Sequence, residues 1–83
     1  MDYQLQMDLE AIHFLISLNR ANCTHIIRWL DRLRDSPFST GHARFVDGTG
    51  REIQVSNTGR FLVSHWTDHP VKTVRVVKIE STK

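Results

Sequence analysis

The fold is decided by residues 51–67, which read REIQVSNTGRFLVSHWT. Apolar and polar residues alternate on both sides of Asn57-Thr58-Gly59, a pattern typical of strands that bury one face. Asparagine and glycine are turn residues. The stretch therefore predicts two antiparallel strands, residues 51–56 and 60–67, joined by a tight turn.

The strand pattern continues on both sides of this hairpin. Asp68-His69-Pro70 predicts a second turn, and the valine-rich residues 71–79 predict a third strand. Two tight turns between neighbouring strands make an antiparallel meander. Near the N-terminus, residues 3–7 also alternate and predict a short strand.

Between this first strand and the hairpin, the apolar residues follow the period of a helix. A first helix is predicted over residues 9–19, with Asp8 as its N-cap, and a second over residues 23–34, ended before Pro37. Because the link between the helices is short, they form an antiparallel hairpin that covers one sheet face. The two apolar stripes are Ala11, Ile12, Leu15, Ile16 and Leu18, and Cys23, Ile26, Ile27, Leu30 and Leu33.

The remaining segment, residues 38–50, is predicted as a loop marked by Ser39 and Thr40, with one extended piece at residues 43–46. The sequence thus predicts a single α+β domain over residues 1–83, in the order β-α-α-β-β-β. Its length allows one hydrophobic core, and 40% apolar with 24% charged residues is typical of a globular protein.

The sheet face that the helices leave open is the expected functional surface. If Asn57 and Arg60 flank a two-residue turn, Ser56 lies opposite Phe61. The helix-covered face then carries Ile53, Val55, Leu62 and Trp66. The open face carries Glu52, Gln54, Phe61, Val63 and His65.

Several absences favour a cytoplasmic protein without a cofactor. No apolar run approaches the ~20 residues that span a bilayer, and the N-terminus lacks the basic start and apolar stretch of a secretory signal. Cys23 is the single cysteine, so no intrachain disulfide forms. The five histidines lack the spacing of a zinc site, and no phosphate loop or dinucleotide fingerprint occurs. Neither a metal nor a cofactor is expected.

His65 is the strongest candidate for acid–base chemistry, because histidine titrates nearest neutral pH and the predicted open face places it near Glu52. The alternative is a surface histidine beside Trp66. The net charge of +2 permits nucleic-acid contact. Basic residues of the loop-and-sheet half form either a phosphate-facing surface or ordinary strand charge; they are Arg44, Arg51, Arg60, Lys72, Arg75 and Lys78.

Five short sequence strings follow one another along the chain in the order of the predicted elements. They are Tyr3-Gln4-Leu5, Leu33-Arg34-Asp35-Ser36-Pro37, Gly50-Arg51-Glu52-Ile53, Gly59-Arg60-Phe61-Leu62-Val63 and Val74-Arg75-Val76-Val77-Lys78-Ile79-Glu80. In order and spacing, these strings resemble the RelE/ParE family of toxins from bacterial type II toxin–antitoxin modules, over nearly the whole chain.

The resemblance implies a compact β-α-α-β-β-β fold and a cognate antitoxin that wraps the toxin. RelE-like members cleave messenger RNA in the ribosomal A site, whereas ParE-like members bind and poison DNA gyrase without cleaving nucleic acid. Two basic positions of the RelE-type site fall on Glu52 and Gln54, and its arginine falls on Phe61. The basic C-terminal position falls near Thr82.

Three functional hypotheses follow. The first is an antitoxin-controlled, ribosome-dependent mRNA endoribonuclease in which His65 or Glu52 moves the proton. The second is a non-enzymatic inhibitor that binds gyrase or another protein, and the third is a catalytically degenerate relative that acts through protein binding. In the first hypothesis, the phosphate charge is balanced by Arg44, Arg51, Arg60 or Lys78.

Overall fold

A computed structural model describes residues 2–38 and 41–82 of the chain. Its elements are β1 (Gln4–Met7), α1 (Leu9–Ile16), α2 (Arg20–Asp35), β2 (Ala43–Val46), β3 (Glu52–Asn57), β4 (Phe61–Asp68) and β5 (Thr73–Ser81). The predicted loop residues Ser39 and Thr40 lie outside the described residues. No helix in the described part of the chain is long and apolar enough to cross a membrane.

The strands form one sheet in the order β1-β5-β4-β3-β2. The predicted α+β fold and the meander β3-β4-β5 are confirmed, and the extended piece at residues 43–46 is strand β2, paired antiparallel with β3. The sheet is mixed rather than antiparallel throughout, because β1 runs parallel to β5. Backbone hydrogen bonds from Gln4 to Lys72 and from Asp8 to Val76 hold the two ends of β1 against β5.

Helix α2 supplies most of the helical side of the core. It begins three residues earlier than predicted, because the Asn19 side chain accepts a hydrogen bond from the backbone N–H of Asn22 at 2.9 Å and caps the helix. The predicted apolar row is confirmed at Ile26, Leu30 and Leu33, which are buried. Helix α1 is shorter than predicted and buries only Ala11 fully.

The turn between β3 and β4 differs from the predicted two-residue turn. Ser56 pairs with Val63 instead of Phe61, because the turn is longer and closes through a hydrogen bond from the Thr58 N–H to the Phe61 carbonyl. Gly59, with a φ of 102°, occupies the left-handed region in this turn. The register moves by two residues, so the directly opposite partners change while each side chain of β4 still lies on the same sheet face as the β3 residues predicted to share it.

The prediction of which face the helices cover was wrong. The helices pack on the face that carries Phe61, Val63 and His65, whereas the open face carries Leu62 and Trp66. The physical reason lies in β5, where a bulge leaves Val77 without a partner between the pairs Ser64–Lys78 and His65–Val76. This extra residue brings Ile79 to the same face as Val74 and Val76, so three apolar side chains of β5 face the helices.

His65 is consequently inside the protein rather than on the open face. Its side chain is 2% exposed and lies 6.1 Å from the Trp29 ring, measured between centroids. Nε2 of His65 and the Ser56 hydroxyl are 3.0 Å apart and share a hydrogen bond, and Nδ1 has no partner among the described residues. Burial lowers the pKa of His65 to about 4, because the charged ring would lose its hydration.

The buried face of α2 predicts a matched pair of stability effects. Ile26→Ala removes a fully buried side chain, so we expect the free energy of unfolding to fall by about 2–5 kcal/mol. Ile16→Ala removes a side chain that is 72% exposed, so we expect a change below about 1 kcal/mol. Urea unfolding followed by tryptophan fluorescence measures both, and equal losses would contradict the assigned helix faces.

The buried histidine predicts a pH-dependent stability. Above pH 6.5 the His65 ring is neutral in both states, whereas between pH 6.5 and 4 only the unfolded chain takes up the proton. The free energy of unfolding therefore decreases as the pH falls through this window, by as much as about 3 kcal/mol.

Urea unfolding at pH 7 and pH 4.5 measures this decrease. We expect His65→Gln to reduce it, and the control His13→Gln, which changes an exposed histidine of α1, to retain it. An NMR titration of the His65 ring with a midpoint near 6.5 would contradict its burial.

Candidate functional site

Glu52, the predicted catalytic carboxylate, lies at the start of β3 and is accessible to solvent. Its Oε1 lies 3.5 Å from Nη1 of Arg44 on the neighbouring strand β2 and accepts a hydrogen bond from Nε2 of Gln54 at 3.0 Å. The side chains of Glu52 and Arg44 are 53% and 69% exposed. The pair thus places an accessible carboxylate beside an accessible guanidinium near the β2 edge of the sheet.

Gln54 holds this part of the sheet in place. Its Oε1 accepts a hydrogen bond from the Gly41 backbone N–H at 2.9 Å, which ties the segment before β2 to β3. Gly41 passes so close to β3 that a Cβ atom would lie 2.6 Å from the carbonyl oxygen of Val55. Only glycine allows this approach, so Gly41 and Gln54 together orient the strand that carries Arg44.

The two predicted catalytic residues do not form a pair. Glu52 interacts with Arg44 and Gln54 on the surface, whereas His65 bonds to Ser56 beneath α2. Gln54 lies between them, since it pairs with His65 across β3 and β4. The catalytic role of His65 stays a prediction, and its burial is a physical argument against direct contact with a substrate.

The open face carries a stacked group of two arginines and a tryptophan. The guanidinium carbon of Arg51 lies 4.3 Å from the centroid of the Trp66 ring, and that of Arg75 lies 5.9 Å from it. Arg75 also reaches Asp8, with Nη2 and Oδ1 3.7 Å apart. The sequence pattern predicts a helix-facing Trp66 and so does not indicate this group, which depends on the pairing of Trp66 with Arg75 across β4 and β5.

Lys78 also lies on the open face, where it pairs with Ser64 of β4, and its Nζ lies 3.2 Å from the Glu80 carboxylate on the same strand. Arg51 is positioned by the turn before it, where Oδ1 of Asp47 accepts hydrogen bonds from Thr49 and from the Arg51 backbone N–H. The hydrogen bonds from the Thr49 side chain and the Arg51 backbone lower the pKa of the Asp47 carboxyl. Arg51 stacks on Trp66 and Lys78 pairs with Ser64, so both cations lie on the open face of the sheet.

Arg60 belongs to a different surface. Its Nη1 donates to Oδ1 of Asn22 in the first turn of α2 at 3.0 Å, which places it on the helical side. Thr82 binds the Arg60 carbonyl through its backbone N–H and its hydroxyl. Phe61, at the position of the RelE-type arginine, is 5% exposed and part of the core. The four predicted phosphate-binding cations are thus divided among the sheet edge, the open face and the helical side.

The chemistry available at the surface follows from these contacts. A carboxylate beside a guanidinium can accept a proton next to a bound phosphate, and exposed arginines can neutralise phosphate charge. Within residues 2–38 and 41–82, no three histidine, cysteine, aspartate or glutamate side chains come together as metal ligands.

The fold has close counterparts among solved structures. The chain is similar to the RelE toxin in the archaeal RelE–RelB complex from Pyrococcus horikoshii OT3, with a TM-score of 0.76 and 19% identity over 98% of this chain and 96% of that chain. It is also similar to the toxin in the RelBE2 toxin–antitoxin complex from Mycobacterium tuberculosis, with a TM-score of 0.80 and 13% identity over 98% and 99%.

A third counterpart is the toxin in the intact RelBE toxin–antitoxin complex of E. coli, with a TM-score of 0.66 and 11% identity over 98% of both chains. No protein-family model and no curated protein sequence matches the chain. The likeness is therefore one of structure, and it confirms the predicted resemblance at the level of the fold. The chain has the fold of the RelE toxins of the RelE/ParE family.

Proposed function

We propose that this protein is the toxin of a type II toxin–antitoxin module, acting in the cytoplasm as a ribosome-dependent mRNA endoribonuclease. The observation that carries the proposal is the extent of the structural likeness. The match covers 98% of this chain and 96–99% of each counterpart, and all three counterparts are toxins in complexes with their antitoxins. A cognate antitoxin is accordingly the expected partner.

The apolar surface supports a protein partner of this kind. Contiguous exposed apolar patches on a small monomer often mark a protein-binding surface, and the exposed Leu9, Ile12 and Ile16 are spaced to share one face of α1. On this protein, large exposed apolar side chains occur on both helices, in the segment after α2, on β2 and in the turn before β5. They are Leu9, Ile12, Ile16, Ile27, Phe38, Phe45, Val46 and Val71.

The proposed reaction uses the exposed pair at the sheet edge. The Glu52 carboxylate removes the proton from a ribose 2′-hydroxyl, whose oxygen attacks the adjacent phosphorus. The bond from phosphorus to the 5′-oxygen breaks, a 2′,3′-cyclic phosphate forms, and the 5′-oxygen takes a proton from water. Arg44, 3.5 Å from Glu52, balances the charge that develops on the phosphate oxygens.

The other predicted cations extend the contact with the RNA backbone. Arg51 and Lys78 lie on the open face and Arg60 on the helical side, so each would bind a different phosphate. His65 has no part in this mechanism, because its ring is 2% exposed.

One observation favours a second candidate, a toxin that acts through protein binding, for example on DNA gyrase. The positions that the resemblance assigns to basic site residues hold Glu52, Gln54 and Phe61, and Phe61 is buried in the core. The site therefore lacks positive charge where RelE-type cleavage uses it. Protein binding requires none of these charges.

Inducible expression in bacteria, with and without the product of a neighbouring antitoxin reading frame, tests the proposal. We expect growth arrest with mRNA cut at codon-spaced positions, and relief of the arrest by the antitoxin. Glu52→Gln removes the proton acceptor and preserves the side-chain shape. The cleavage rate should then fall by about 10²–10⁴-fold, as mapped by primer extension on translated mRNA.

Glu10→Gln is the matched control, since it neutralises an exposed carboxylate in the first turn of α1 and should leave cleavage unchanged. Growth arrest with intact mRNA and damaged DNA would replace the ribonuclease by the gyrase-binding candidate. Absence of arrest from a folded, expressed protein would overturn the assignment as a toxin.

A further inference from the structure

A basic groove lies along α2, on the helical side of the molecule. It has a volume of about 380 Å³ and is formed by α2 together with the turn between β3 and β4. Arg28 and Arg32 are one helical turn apart, so their side chains lie on the same face of α2. Arg60 faces them from the turn and is held there by its hydrogen bond to Asn22.

The arginines of this groove lack acidic partners. Among residues 2–38 and 41–82, neither Arg28 nor Arg32 has a carboxylate oxygen within 4.0 Å, although both are exposed. The nearest acidic residues in sequence, Asp31 and Asp35, pair with Arg34 instead. No acidic side chain lines the groove, so three guanidinium groups face a shared space without compensation. Such an arrangement attracts an anion.

A second groove meets the basic groove at Arg32. This second groove has a volume of about 260 Å³ and extends past Trp29 to His42 and Ser36. The two grooves together form a track along α2, and its positive charge is concentrated in the first groove and at Arg32, where the two meet. A ligand with one phosphate would occupy only part of this track, whereas a chain of phosphates can follow it.

The chemistry of the groove favours a nucleic acid over a protein. Its lining consists of small or polar groups around the arginines, such as Ala21, Thr24 and His25, and includes no large aliphatic side chain. Protein interfaces have an apolar core, whereas nucleic-acid interfaces are polar and strongly positive. Arginine also binds phosphate oxygens through two parallel hydrogen bonds.

We propose that this groove binds the phosphodiester backbone of RNA. The choice of RNA rests on the proposed function; the choice of a phosphate chain rests on the groove alone. Arg28 and Arg32 lie on α2, whereas the Glu52–Arg44 pair lies on β3 and β2, so the groove holds a stretch of RNA other than the phosphate at the cleavage position.

Fluorescence anisotropy with a labelled 20-base-pair RNA duplex tests this groove directly. The double variant Arg28→Gln/Arg32→Gln should weaken binding by about tenfold or more at low salt. Its plot of log affinity against log salt concentration should be shallower by about two, one for each phosphate contact removed. Arg34→Gln, which removes an acid-paired arginine from the same helix, should bind within twofold of the unaltered protein.

Three results would overturn the proposal that this groove binds an RNA backbone. They are unchanged binding by the double variant, an equal loss in Arg34→Gln, or displacement of the RNA by poly-L-glutamate at equal charge concentration, which would assign the groove to an acidic protein. A DNA duplex that binds as tightly as the RNA would overturn the choice of RNA. The thermal melts of all variants should coincide, since the altered side chains are on the surface. RNA binding is measured without ribosomes, so its outcome is independent of growth arrest and mRNA cleavage.

Discussion

The bulge in β5 determines which face of the sheet the helices can cover. With strict alternation, Lys78 would share a face with Val74 and Val76, and neither face of the strand would be apolar enough to bury. The unpaired Val77 moves Ile79 to the side of Val76 and leaves Lys78 exposed. One face of β5 then matches the apolar row of α2, and burial of these surfaces holds the two layers together.

This choice of face also distributes the polar residues. His65 becomes part of the packing beneath α2, where a neutral ring bonded to Ser56 is stable at neutral pH. The open face gains the stacked arginines around Trp66. The exposed Glu52 carboxylate, the proposed proton acceptor, lies at the β2 side of the sheet beside Arg44. Positive charge is therefore available on both layers of the fold, as the proposed RNA contacts on the sheet and on α2 require.

Much of the fold was predictable because its signals are local. The alternation on either side of Gly59 specified the hairpin, and the apolar row of α2 specified its buried side. The site was less predictable. Glu52 and Arg44 were both named as candidates, but their contact depends on the pairing of β2 with β3. The unpaired state of Arg28 depends on which arginine the neighbouring aspartates bind, and no sequence pattern reports that choice.

The sequence by itself determined the order of the helices and strands and the α+β class, because hydrophobic period and turn residues act over a few positions. The resemblance to the RelE/ParE toxins rested separately on five short strings and their order along the chain. The tertiary structure alone decided that β1 joins the sheet parallel to β5, that His65 is buried, and that Trp66 faces outward between two arginines. The reason is physical. Both faces of the predicted strands hold apolar residues, and only the bulge at Val77, which forms when β5 pairs with β4, separates a face that can be buried from one that cannot.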